Sequence, residues 1–217
     1  MAKEGEIAYL KNIGEDGQVH ALGKPFSDPY CGYYLTDIGQ LISLLPPGKL
    51  LDLGAGPGWT SIFFAKRGYD VTAQDISEDM VQLAKKNKLL YNVDNLDFTI
   101  SDYEQLEFRD EFDYAVFFDS LHHSVNPQEA INVVYKILKP GGICLTVEPG
   151  KGHSKLDSTL SAVKKWNVTE KDMPPSLIIK LAKNAGFRKT KVFLRQNNHP
   201  LEILPFLSLK TFISIGK

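Results

Sequence analysis

The residues with the most chemistry to offer cluster at the ends of short apolar runs. In "LLDLGAGPGWT", residues 50–60, Gly54, Gly56 and Gly58 alternate behind a run that carries Asp52. Glycines there let the backbone turn sharply and approach a ligand with no Cβ in the way. A dinucleotide pyrophosphate asks for G-x-G-x-x-G, with backbone N–H groups facing anionic oxygens. The spacing here is G-x-G-x-G, and Asp52 is a poor neighbour for phosphate. A carboxylate at that point suits a cationic ligand that bears an amino group. Asp75 in "VTAQDIS" follows about twenty residues on, where an acidic side chain accepts both hydroxyls of a ribose. Asp102 in "ISDYEQL" reaches an adenine amino group from the same ledge. The implied ligand has a cationic amino-acid end, a ribose and an adenine, which disfavours a nicotinamide oxidoreductase.

A second group lies further along. His122 and His123 are adjacent in "FFDSLHHSVNP", and Glu148 ends "ICLTVEP". An imidazole with a pKa of about 6.5 is a suitable base for a hydroxyl, and a carboxylate can orient or replace it. Each histidine taken singly could equally pack under a ligand or bond a loop carbonyl. The Lys-rich stretch "GKGHSKLDSTLSAVKKWNVTEKDMPP", with His153 and Trp166, could hold an anionic substrate group or form a solvated surface helix.

These residues need elements to position them. Residues 1 to about 32 are polar, rich in Gly and interrupted by Pro, and read as an irregular arm or lid that carries Tyr30. "YLTDIGQLISLL" has helical spacing and stops at "PPG". "KLLDLG" is apolar without alternation, as in a parallel strand buried on both faces. Strand and helix then alternate from about Lys49 to Pro149, with Ser77 as an expected N-cap and Gly68 as a helix stop. That alternation predicts an α/β, doubly wound, mostly parallel sheet with helices on both faces. In the tail, "PPSLIIKLAKNAGF" reads as a helix, and "KTKVFLRQ" and "LKTFISIGK" as two strands without a helix between them, hence antiparallel neighbours. The expected organisation is an arm over 1–32 and a single domain over 33–217.

On these motifs the chain resembles the class I S-adenosylmethionine-dependent methyltransferases. The matching stretches are "LLDLGAGPGWT", "VTAQDIS", "ISDYEQL", "FDYAVFFDSLHH" and "LKPGGICLTVEP". The resemblance implies a seven-stranded sheet of order 3-2-1-4-5-7-6 with strand 7 antiparallel. It implies S-adenosylmethionine as cofactor and S-adenosylhomocysteine as product. Asp75 would bind the ribose, Asp102 and Tyr103 would flank the adenine, and the loop from Gly54 to Gly58 would underlie the methionine part. The expected cofactor set is Asp52, Gly54, Ala55, Gly56, Gly58, Asp75, Ile76, Asp102, Tyr103, Asp119 and Ser120. His122, His123 and Glu148 form the expected catalytic set, and no metal is expected.

The string "SLHH" is similar to that of small-molecule O-methyltransferases, so the expected acceptor is a small-molecule hydroxyl. An amine acceptor, or a non-catalytic module that binds the cofactor, are the alternatives. The Asn/Asp-Pro-Pro-Tyr/Phe signature of amino-methylating enzymes is missing where "DSLH" stands. A net charge of -1 and a pI near 6.5 give no field that favours nucleic acid. Cys31 and Cys144 are far apart and form no metal or disulfide framework. The N-terminus has no apolar leader and no run is long enough to span a bilayer, so a cytoplasmic protein without membrane contact is expected. "HPLEILPFLSL" is apolar enough for a homodimer contact, a lid or a buried loop.

Overall fold

A computed structural model describes residues 2–193. Three helices come first: α1 (Ala2–Asn12), α2 (Gly14–Gly23) and α3 (Cys31–Leu44). The stretch read as an irregular arm is thus largely helical. Its helices lack a clear apolar stripe in sequence, and tertiary packing overrides that weak local signal. Leu10 of α1 and Ala21 of α2 bury against Leu83 of a later helix.

Five strands follow: β1 (Lys49–Leu53), β2 (Asp70–Asp75), β3 (Leu96–Ile100), β4 (Phe112–Phe118) and β5 (Leu138–Val147). They form one sheet of order β3-β2-β1-β4-β5, and every pairing is parallel. Parallel neighbours need crossovers. Helix α4 (Trp59–Lys66) joins β1 to β2, α5 (Glu78–Leu90) joins β2 to β3, and α6 (Pro127–Ile137) joins β4 to β5. After β5 come α7 (Asp157–Trp166) and α8 (Pro175–Ala185). The caps are where the sequence puts them. Ser77 Oγ accepts from Met80 N–H at the start of α5, and Asn126 Oδ1 accepts from Glu129 N–H at the start of α6.

Both faces of the sheet are covered, as the unbroken apolar strands require. Leu50, Val71, Ala73 and Val116 pack on Ile38 and Leu41 of α3 and on Ile62 and Phe64 of α4. Leu51, Leu53, Ala115 and Phe117 pack on Ala130, Ile131 and Val134 of α6 and on Leu181 of α8. Each such fully buried aliphatic side chain contributes roughly 1.5–3 kcal/mol.

The described residues hold five strands rather than seven. Lys189–Phe193, the first part of the expected sixth strand, is irregular, with Val192 and Phe193 exposed. Among the described residues, this stretch pairs with no strand of the sheet. The remainder of that stretch, the expected seventh strand and "HPLEILPFLSL" lie outside the described residues. Among the described helices, none is long and apolar enough to cross a membrane.

Candidate active site

The strand order reverses between β1 and β4, and in such sheets the crevice beyond the carboxyl ends at that switch point takes the ligand. A cavity of about 210 Å³ opens there. Gly54, at φ +68°, is packed tightly: a Cβ on it would lie 2.3 Å from Tyr103 Oη and 2.7 Å from Ser120 Cβ. Gly56, at φ +53°, faces open space, with no neighbour within 4 Å of where a Cβ would stand. One glycine therefore serves packing, and the other keeps the cavity floor bare. Gly58 caps α4 and lies outside the cavity lining.

Two side chains of β2 hold this loop. Gln74 Oε1 accepts from Gly54 N–H at 3.1 Å. Asp75 Oδ2 accepts from Gly56 N–H at 2.8 Å, and its Oδ1 accepts from Ser77 N–H at 2.8 Å. Burial still raises the Asp75 pKa, against these two bonds. Each oxygen keeps a further lone pair, and Asp75 lines the cavity.

Asp52 behaves differently from its sequence expectation. It is buried, and its Oδ2 accepts from Thr60 Oγ1 and Ser61 Oγ, both at 2.6 Å. Burial pushes its pKa up to about 6 despite both hydroxyls. Asp52 does not line the cavity. Residues alternate across a strand, so Asp52 points with Leu50 towards the first turn of α4. The pattern gave no sign that Thr60 and Ser61 would claim it.

Helix α1 lies over the cavity with Lys3, Glu6 and Tyr9. Lys3 Nζ pairs with Asp102 and lies 2.6 Å from Glu104 Oε2. Tyr34 of α3 also lines the cavity, packed on Trp59 and Phe118, whereas Tyr30 is exposed. Tyr103 donates from its hydroxyl to Ser120 O at 3.3 Å, and burial first, then nearby carboxylates, hold its pKa well above the ordinary value.

The loop after β4 is built round Glu148, whose side chain is fully buried. Glu148 Oε1 accepts from the N–H groups of Ser120 at 3.2 Å and Leu121 at 2.7 Å. Its Oε2 accepts from His122 N–H at 3.2 Å and from His122 Nδ1–H at 2.8 Å. Those amides open a 3₁₀ turn over Leu121–His123, so the carboxylate serves as its cap. Desolvation raises Glu148 to about 7, while burial lowers His122 to about 4. His122 is therefore a neutral imidazole, its Nδ1 turned to Glu148 and its Nε2 towards Glu170.

His123 has the opposite character. Burial would lower its pKa, but Glu6, Glu170 and the Thr169 carbonyl carry it up to about 9. Its Nδ1 lies 2.7 Å from Thr169 O and 3.5 Å from Glu6 Oε1. It is cationic at neutral pH and lines the cavity. Glu170 also lies 3.4 Å from His122 Nε2 and 2.7 Å from His153 Nε2. The segment that presents Glu170 is pinned on both sides. Thr169 N–H donates to Glu6, and Asp172 accepts from the N–H groups of Gly152 and Ser154.

The cavity thus brings together Gly54, Ala55, Gly56, Asp75, Ile76 and Asp102 on one side. Tyr103, Asp119, Ser120 and His123 join them on the other. Asp119 holds φ +54°, unusual for a non-glycine residue and common where function demands strain. Asp52, Gly58, His122 and Glu148 stand behind the lining. Sequence reasoning missed Lys3, Glu6, Gln74 and Glu170. Gln74, beside Asp75 in an otherwise apolar strand, was the one with a local signal.

A profile described as "Methyltransferase domain" matches residues 51–146. A demethylmenaquinone methyltransferase of Clavibacter sepedonicus is 34% identical over 95 residues, 43% of this chain and 38% of that protein. A ubiquinone biosynthesis O-methyltransferase of Psychrobacter arcticus is 30% identical over 119 residues, 53% of this chain and 46% of that protein. The chain thus spans less than half the length of either. The structure of a Haemonchus contortus phosphoethanolamine N-methyltransferase, in complex with S-adenosyl-L-methionine, has the same fold, with a TM-score of 0.69 and 24% identity. It covers 84% of this chain and 44% of its own. With the glycine loop, Asp75 and the parallel sheet in place, residues 51–146 match the methyltransferase-domain profile and resemble the class I S-adenosylmethionine-dependent methyltransferases. The cofactor of that class is S-adenosylmethionine.

Proposed function

We propose that this chain transfers a methyl group from S-adenosylmethionine to a hydroxyl-bearing small molecule. The donor set fits the cofactor: the bare backbone at Gly56 leaves room for a ligand, and the carboxylates of Asp75 and Asp102 suit its hydroxyls and amino groups. When bound, the cofactor supplies an electrophilic methyl group on a sulfonium. Asp75 would hold the ribose, Asp102 and Tyr103 the adenine, and the Gly54–Gly56 loop the methionine part. Asp119 and Ser120 would close that side.

The observation that carries the acceptor reading is His123, a cation at the edge of the same cavity. A hydroxyl acceptor has to give up its proton, here to solvent, and a fixed cation beside the oxygen stabilises the oxyanion left behind. Being already protonated, His123 suits that task better than the task of a base. His122 and Glu148 then act by position: they fix the 3₁₀ turn that carries His123. A second reading has one specific support. The relatives include a demethylmenaquinone methyltransferase and a ubiquinone/menaquinone biosynthesis C-methyltransferase, and methylation at a ring carbon of a hydroxy-arene would use the same cation on the same oxygen.

The test is a reaction with labelled methyl donor against hydroxy-arenes, aliphatic alcohols and amines, with products located by mass spectrometry. Label on the oxygen of a hydroxyl acceptor supports the first reading, and label on ring carbon the second. Label on amines alone overturns both, and cofactor binding without product from any class favours a binding module.

A further inference from the structure

We propose that His122, His123 and Glu170 form a binding site for one divalent transition-metal ion at the acceptor end of the cavity. One ring nitrogen from each histidine and one oxygen from Glu170 lie within 4.8 Å of one another. Two imidazoles with one carboxylate form a donor set that transition metals take with further positions left open.

The supporting groups are those such a site needs. Metal-binding histidines usually give their second nitrogen to a carboxylate, which fixes the tautomer and aims the ligand. Glu148 does this for His122 at 2.8 Å, leaving Nε2 pointed at Glu170, 3.4 Å away. His153 Nε2 holds Glu170 Oε2 at 2.7 Å. The carboxylates of Glu6 and Glu170 face these rings, and they call for positive charge among them. A divalent ion would release the His123 proton to solvent, supply that charge more fully, and take the place of the imidazolium beside the acceptor oxygen. His122 is buried while His123 lines the cavity, so an ion between them would face the acceptor on one side. There it would hold an acceptor oxygen as a Lewis acid. That role rests on the methyl-transfer reading, but the binding of the ion does not. The sequence pattern suggested no metal because Glu170 and the histidine pair come from separate segments with no ligand spacing.

The experiment titrates chelator-stripped full-length protein with Co(II), following visible absorption for geometry and calorimetry for stoichiometry. One ion per chain is expected, with ligand-field bands that show nitrogen donors. Glu170→Gln should weaken binding by at least about 10–100-fold, the range for losing even a supporting group. His122→Asn should do the same while keeping a donor for Glu148, and metal-free melting curves check that both variants fold. No saturable binding, or unchanged affinity in both variants, overturns the proposal. S-adenosylmethionine is titrated in parallel. Cofactor binding without Co(II) binding overturns the metal site alone, and the converse overturns the cofactor reading alone.

Discussion

The two halves of the cavity are built by different means. On the β1–β2 side, backbone does the work: a glycine loop whose amides are held by Gln74 and Asp75, its nearest neighbours in the sheet. On the β4–β5 side, side chains do it: Glu148, His122, His123 and Glu170, with Glu6 and His153 brought in from far along the chain. The first half is rigid because its conformation is fixed by strand ends and φ angles. The second is rigid only while its charges stay paired. Substitutions should therefore harm the two halves in different ways.

The largest effect is expected within the glycine loop itself. Gly54→Val would drive a side chain into Tyr103 and Ser120 and should lower stability by on the order of 3 kcal/mol or more. Gly56→Ala meets no neighbour and should lose only the roughly 1–2 kcal/mol of a left-handed residue, yet it should block the cavity. Urea denaturation beside cofactor titration separates the two, and equal stability losses would break the distinction. Next comes Glu148→Ala, which strands buried N–H groups and should lose about 1–3 kcal/mol. Glu148→Gln should recover part of that loss.

Charge pairing gives the β4–β5 half a pH signature. His123 has its pKa raised from 6.5 to about 9, so its stabilising contribution is complete below pH 6.5 and is lost as the pH rises through 9. Melting temperature should fall over that window, and Glu6→Gln should shrink the fall. His122 and Glu148 shift in opposite directions, to about 4 and about 7. Between pH 4.5 and 6.5 the unfolded histidine and the folded carboxyl each hold a proton, so their effects on stability oppose. His122→Asn removes one side of that balance, and stability should then fall as the pH rises from about 4.5 to about 7. The smallest effect belongs to Lys3→Ala. Lys3 is partly exposed, and its ion pairs with Asp102 and Glu104 should contribute less than about 1 kcal/mol.

The same division explains what could be read from the sequence. Strands β1 to β5, helices α4 to α6, the Ser77 cap and the place of Asp75 follow from apolar runs and turn residues, which act within a few positions. Asp52 shows the limit even there, because its partners Thr60 and Ser61 looked like ordinary helix residues. Helices α1 and α2 escaped because little in their own pattern marks a buried face. The meeting of Glu6, His123 and Glu170 could not be read at all, since nothing local links residues so far apart. His122 and His123 are neighbours in sequence, yet only tertiary packing makes one neutral and buried and the other charged and exposed to the cavity.

Calorimetric titration of S-adenosylmethionine into the wild-type chain and into Asp75→Ala tests the central claim, that the cavity at the β1–β4 switch point is a methyl-donor site. Saturable binding at one site is expected for the wild type. The variant should lose tenfold or more in affinity, because each charge-assisted bond to a ribose hydroxyl contributes roughly 1.5–3 kcal/mol. Absence of binding to the wild type, or the same dissociation constant in both proteins, would contradict it.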